Sequence, residues 1–245
     1  MNRLFLNLYI AATAVEIFAR AGKHMDWEFF SKPVLMPLLA LSFWKGLRNL
    51  DRETLRKGHK LTLWVMLALF FSWCGDVFLM CSGDLPASFC PTGLDPEMAF
   101  LMGLSAFLIG HLCWIGAFIS GPFLSENGNS GWPIPAVLGL YGVGLIAWLW
   151  PELGEMLIPV MIYALTICTM AIVAGGRSGR VSTLSFQWTL AGALIFVVSD
   201  SVIAINRFAL PFQESGVIIM LTYCLAQLLI VYGLYEQLRS SSPSE

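Results

Sequence analysis

Two aspartates stand where acids are rare. Asp76, in Cys74-Gly75-Asp76-Val77, and Asp200, in Val198-Ser199-Asp200-Ser201, each interrupt a long apolar stretch. On insertion scales an aspartate at mid-membrane is unfavourable by about 2.5 to 3.5 kcal/mol, so two at matching positions call for a reason. Each follows a small residue, Gly75 or Ser199, of the kind that lets helices approach closely. Low dielectric drives a carboxyl toward its neutral form, and a second carboxylate nearby drives one member of a pair further. Such a pair offers a proton donor beside an ionised partner, which suits acid–base catalysis or a proton relay. The plainer reading is a packing contact between two protonated, hydrogen-bonded acids.

Further polar side chains fall at compatible depths. Lys32 stands just before Pro33, and Tyr163 lies about two turns into an apolar segment. Tyr223 and Gln227 are one turn apart and share a helical face. Arg207 follows Asp200 by seven residues, on the same stripe but about 10 Å further along a straight helix, so it belongs to a rim rather than to a direct pair. Glu16 has a similar outer position, and His111 sits deeper, among Gly103, Ala106 and Gly110. Taken singly, the tyrosines read as belt or packing residues, and Lys32 and Arg207 as side chains snorkelling to the interface. One His and two Asp could supply three ligands to a catalytic metal, yet no two share a helix and paired histidines at helical spacing are absent. The expectation is therefore no metal and a His111 that hydrogen-bonds within the bundle.

The elements that position these residues are helices in lipid. Of 245 residues 57% are hydrophobic and 12% charged, with mean hydropathy +0.73, against about 25% charged in a soluble domain. A hydrocarbon core of about 30 Å needs roughly 20 apolar residues per helix. The candidates are 4–19, 34–50, 61–80, 98–119, 133–150, 155–174, 184–205 and 216–237. Pro86, Pro91, Pro96, Gly121-Pro122, Gly128, Gly131, Gly175-Gly176 and Pro211 punctuate the gaps. No ten-residue alternation suggests a barrel, and open strands cannot satisfy their backbone in lipid. The fold expected is all-α, a single domain over 1–245 with eight transmembrane helices.

Met1-Asn2-Arg3 and the run after it imitate a secretory signal, but cleavage would discard Glu16, so an uncleaved first helix is expected. With both termini on one side, that side holds Arg3, Lys45, Arg48, Arg52, Arg56, Lys57, Lys60, Arg177, Arg180 and Arg239. The other holds Arg20, Lys23, Lys32 and Arg207. Ten basic residues against four put both termini in the cytoplasm. The segment 81–97, with Asp84, Asp95 and Glu97 and no basic residue, then lies outside. None of the six cysteines forms a Cys-x-x-Cys; Cys81 and Cys90 flank this outer loop and either bridge or stay free thiols. Asp76 and Asp200 both come about fifteen residues into odd-numbered segments, hence at one depth in parallel helices. Gly-Asp and Ser-Asp in the third and seventh segments match, as do Phe107 with His111 and Tyr223 with Gln227 in the fourth and eighth. This suits a weak four-plus-four duplication.

Ser31-Lys32-Pro33, Gly75-Asp76, the helix Phe100-x-x-Gly103…Ala106-Phe107…Gly110-His111, the run 192–201 ending Val198-Ser199-Asp200-Ser201, Asn206-Arg207-Phe208, and Met220-Leu221-Thr222-Tyr223…Ala226-Gln227 together resemble the YhhN family of lysoplasmalogenases over essentially the whole chain. The Ser-Asp-Ser…Asn-Arg-Phe stretch is the specific part. The resemblance implies eight helices and hydrolysis of the vinyl-ether bond of lysoplasmalogens, giving a fatty aldehyde and glycerophospho-ethanolamine or -choline. It makes Asp76 and Asp200 the presumed catalytic residues. It also adds Asn206 to Lys32, His111, Tyr163, Arg207, Tyr223 and Gln227 as residues lining the substrate.

The chemistry suits the residues independently. A vinyl ether hydrolyses by proton transfer to its β-carbon, giving an oxocarbenium ion that captures water. One protonated and one ionised carboxyl divide that labour as the two carboxylates of glycosidases do, by analogy. No Ser-His-Asp or Gly-x-Ser-x-Gly arrangement is visible, and no acyl group is transferred. Neither cofactor nor nucleic acid is expected, only a lysophospholipid in a bacterial inner membrane. The competing class is a proton-coupled transporter, which would use the same buried acids, with Gly142, Gly144 and Pro159 breaking helices at its site.

Overall fold

The computed structural model describes residues 1–23, 25–82, 90, 94–120 and 133–241. Asp84, Pro86, Pro91, Gly121-Pro122, Gly128, Gly131 and His24 lie outside them. Among the described residues the fold is all-helical, without strands. Its elements are α1 (Arg3–Gly22), α2 (Met25–Leu47), a short α3 (Arg52–Lys57), α4 (His59–Ser82), α5 (Pro96–Ile119), α6 (Pro133–Leu153), α7 (Leu157–Gly175), α8 (Thr183–Ala204) and α9 (Ser215–Arg239). Polar side chains start several of them: Asp95 accepts the N–H groups of Glu97 and Met98, and Ser182 that of Ser185.

Among the described residues six stretches are long and apolar enough to cross a membrane: α1, α4, α5, Pro133–Gly175, Thr183–Ala209 and α9. Pro133–Gly175, at 43 residues, is more than twice the length a bilayer needs. It is broken by a 3-10 turn at Gly154–Met156, where Gly154 has φ +49°, and α6 packs back against α7. The α2 helix carries Asp26, Glu28, Lys32 and Lys45 and is not among the six.

Close crossings at glycines pair the helices. A Cβ on Gly192 of α8 would come within 2.8 Å of the Ala226 carbonyl of α9, and one on Gly75 of α4 within 2.6 Å of the Phe107 ring of α5. The main core runs from Tyr9 through Leu39, Phe43, Leu69, Trp114, Phe196 and Ile230. At one end of the bundle the Asn2 N–H donates to the Ser42 carbonyl, and the Tyr235 hydroxyl to that of Gly46. Arg177, in the turn after α7, is buried at this end too, donating to Ser185 and Gln237 with its guanidinium over the Phe118 ring. Burial pushes that guanidinium down, to about 9, so it stays charged at neutral pH.

Two elements differ from the sequence expectation. Lys32 is not at a helix start but two turns inside α2, because Pro33 and Pro37 are both accommodated within the helix. Pro37 has no N–H, which frees the Pro33 carbonyl four residues back; the Trp73 indole N–H of α4 takes it at 2.9 Å. After α8 the chain winds into a π turn, Ile205–Ala209, closed by the Leu210 N–H on the Ile205 carbonyl. The Asn206-Arg207-Phe208 stretch is that turn, a form often found at functional sites.

Candidate functional site

Asp76 is 2% exposed, and both its oxygens have partners. The Tyr223 hydroxyl of α9 donates to Oδ2 at 2.7 Å, and the Lys32 ammonium of α2 stands 3.9 Å from Oδ1. Lys32 is itself 6% exposed, a buried cation facing a buried acid rather than a side chain reaching for solvent. Asp200 has a different set. The Tyr163 hydroxyl of α7 donates to Oδ2 at 2.5 Å, and His111 Nε2 of α5 lies 3.6 Å from the same oxygen. Asp200 Oδ1 accepts no hydrogen bond from the described residues. Neither ring nitrogen of His111 has a hydrogen-bond partner among the described residues, and the ring packs against Phe196 at 4.7 Å and Tyr163 at 5.3 Å.

The two carboxyls share no hydrogen bond. The Tyr223 ring that meets Asp76 packs edge-on to Phe196 at 5.6 Å and to Phe107 at 5.8 Å. The partner pattern nevertheless repeats. Each aspartate meets one residue from the long helix preceding its own, Lys32 or Tyr163, and one from the helix that ends the other half, Tyr223 or His111. One turn further along α9, Gln227 donates to Ser72, four residues before Asp76.

Two spaces adjoin the acids. A polar vestibule of about 550 Å³ opens above them, lined by Arg20, Lys23, Glu28, Lys32, Asn206 and Arg207 among others. Leu79 and Ile203, each three residues past an aspartate, form part of its floor. Arg207 is exposed and lies over the Phe100 ring at 4.9 Å, while Asn206 Oδ1 accepts the Phe212 N–H and so shapes the turn. The second space is a narrow apolar slot of about 40 Å³ between α5, α7 and α8. Phe100, Phe107, Val160, Tyr163, Phe208 and Asp200 line it, and it shares Leu79, Phe100 and Ile203 with the vestibule.

Of the residues singled out in the sequence, Asp76, Lys32 and Tyr223 thus come together, as do Asp200, Tyr163 and His111. Arg207 reaches the vestibule rim, and Gln227 contacts neither aspartate. Cys81 and Cys90 are joined by a disulfide at the vestibule end of α4. Sequence reasoning misses three vestibule charges, Arg20, Lys23 and Glu28. The Glu16–Arg20 spacing of four is the one readable signal: Arg20 pairs with buried Glu16 at 2.9 Å and with Glu28 at 3.2 Å. Ser31 ties the cluster to α2 by donating to Glu16 at 2.6 Å. Among the described residues no three His, Cys, Asp or Glu side chains gather closely enough to hold a metal ion.

An all-helical bundle with charges buried between apolar helices defines an integral membrane protein. More narrowly, residues 27–234 match the YhhN family model, and the chain belongs to that family. It is 37% identical over 141 residues to a lysoplasmalogenase of Mycobacterium tuberculosis (strain CDC 1551 / Oshkosh), an alignment covering 56% of this chain and 51% of the relative. It is 33% identical over 150 residues to lysoplasmalogenase TMEM86B of Homo sapiens, covering 59% and 57%. To the uncharacterized membrane protein YhhN of Escherichia coli O157:H7 it is 26% identical over 179 residues, covering 71% and 84%. The chain spans about half the length of the curated lysoplasmalogenases it matches. No solved structure matches it.

Proposed function

We propose that this chain is a lysoplasmalogenase, hydrolysing the vinyl-ether bond of lysoplasmenyl-ethanolamine or -choline to a fatty aldehyde and the glycerophospho-base. The names of its relatives support the activity. The observation that carries it is the pair of buried aspartates lying below a cationic vestibule, one of them bordering an apolar slot. A lysolipid has that polarity: a phosphate for Lys32, Arg207, Lys23 and Arg20, and a chain for the slot. At about 40 Å³ the empty slot is a seam that the chain widens, parting α5 from α7 and α8. Asp76 and Asp200 supply the acid and base, while Tyr223 and Tyr163 hold their carboxyls in place and His111 stands beside Asp200.

The same reading makes α2 and both halves of 133–175 cross the bilayer, giving eight spans. The repeated partner pattern supports a four-plus-four duplication, within a single domain over 1–245. The basic end lies in the cytoplasm with both termini, and the vestibule opens outward, where a Cys81–Cys90 disulfide is at home.

The test is aldehyde release by the purified protein in detergent, with lysoplasmenylethanolamine and no added metal, ATP or nicotinamide. Aldehyde should appear, and the ester-linked lysophospholipid should be left intact. A folded protein that binds lysoplasmalogens but leaves them unchanged would overturn the enzyme reading in favour of a proton-coupled carrier, which needs two compartments to act.

A further inference from the structure

The two carboxyls are not equivalent, and the difference lies in what each one faces. Asp76 has a partner at each oxygen, the Lys32 ammonium at ion-pair distance from Oδ1 and the Tyr223 hydroxyl donating to Oδ2. Lys32 also lines the vestibule. Glu16 and Arg20 of α1 act on Asp76 at longer range and with opposite signs. Asp200 lines the apolar slot, faces Tyr163 of α7 and His111 of α5, and among the described residues has no lysine or arginine within ion-pair distance. Its Oδ1 is free to carry a proton. Phe107 lines the slot and packs edge-on to Tyr223, so a single ring separates the hydroxyl partner of Asp76 from that space.

A vinyl ether has a matching order along its length. Counting from the headgroup come glycerol, the ether oxygen, the carbon that water attacks, and only then the carbon that must accept a proton. The protonated carbon is therefore always on the chain side of the attacked one. Resting on the lysoplasmalogenase reading, we propose that the substrate lies phosphate in the vestibule and chain in the slot, so that Asp200 protonates the alkene carbon and Asp76, ionised beside Lys32, serves the carbon that water attacks.

The steps balance without any transfer between the two acids. The Asp200 O–H bond breaks and its proton takes the alkene π pair to form a C–H bond, while an ether lone pair makes the oxocarbenium ion. Water adds to that cationic carbon, the π pair returns to the ether oxygen, and the water proton goes to Asp76, giving a hemiacetal. Ionised Asp200 then takes the hemiacetal hydroxyl proton as the aldehyde C=O forms. The C–O bond to glycerol breaks with its electron pair, and the glycerol oxygen takes the proton from Asp76. Both groups end as they began, and nothing is oxidised or reduced.

The assignment fixes which limb of the pH–rate profile belongs to which residue. Activity falls at high pH when Asp200 loses its proton, and at low pH when Asp76 gains one. Aldehyde release is followed as kcat against pH, so that weaker headgroup binding does not enter. The residual rate of D200N should lack the alkaline limb, and that of D76N the acid limb. Two milder variants decide the matter even if the Asn variants are silent. K32M removes the cation beside Asp76 and should move the acid limb up by about one pH unit, leaving the alkaline limb in place. Y163F removes the donor on Asp200 and should move only the alkaline limb up. The converse pattern, or limbs unmoved in both milder variants, would overturn the assignment while leaving the lysoplasmalogenase reading intact. Absence of aldehyde from the wild-type protein would instead overturn that reading.

Discussion

Asparagine at position 76 or 200 keeps the size and hydrogen bonding of aspartate while removing both acid strength and charge. If the carboxyls are the acid and base, each single change should lower kcat by about 10²- to 10⁴-fold, the usual worth of general acid–base catalysis. Because both take part in one sequence of proton transfers, the double variant should be barely slower than either single one. Side-by-side rates of the three variants, with size-exclusion profiles to confirm folding, make the check. Less than a tenfold loss in a well-folded single variant would return both residues to the role of packing contacts. These acids are legible in the sequence because an ionisable group in an apolar run breaks the pattern of everything around it. Tyr163, Tyr223 and His111 are legible as candidates but not as partners, since nothing in the string says which carboxyl each one meets. Arg20, Lys23 and Glu28 are missed as site residues for the opposite reason: charges near helix ends are ordinary, and only the fold turns them into the lining of one vestibule.

At the scale of elements, the lysine that faces Asp76 depends on a helix its own sequence argues against. Pro33 and Pro37 suggest that a helix starts after Lys32, yet α2 runs unbroken from Met25 to Leu47. The compensation comes from another helix, the Trp73 indole on the Pro33 carbonyl, and a single-helix reading has no access to it. A double-mutant cycle tests this account. Trp73→Phe should cost about 1 to 3 kcal/mol by leaving a partly buried carbonyl unpaired, read as a lower thermal midpoint in detergent. Pro37→Ala restores the missing N–H, so the same Trp73→Phe change should cost clearly less in that background. Equal costs in both backgrounds would mean that the indole matters only for its packing. The π turn at Ile205–Ala209 is likewise hidden, because no residue type marks the extra residue. The break at Gly154, by contrast, follows from glycine's tolerance of positive φ and from a stretch too long for one crossing.

At the scale of the whole molecule, the proposed orientation of the vestibule rests on the distribution of charge. Ten of the fourteen basic residues fall at one set of loop and helix ends. The structure ties that end together through Asn2 with Ser42, Tyr235 with Gly46, and Arg177 with Gln237. The opposite end has the vestibule with Arg20, Lys23, Lys32 and Arg207, along with the Cys81–Cys90 disulfide. Short loops rich in Lys and Arg stay in the cytoplasm, and disulfides persist on the oxidising side, so two independent signals agree on the same orientation. Reporter fusions at Arg56 and after Arg239 should therefore read as cytoplasmic, and one near Cys90 as extracytoplasmic. A membrane-impermeant thiol reagent should label the Cys81–Cys90 pair in intact cells only after reduction. Opposite reporter signals would turn the vestibule to the cytoplasm, where a reducing compartment would keep the two cysteines as thiols. The lysolipid would then enter from the inner leaflet instead of the outer one.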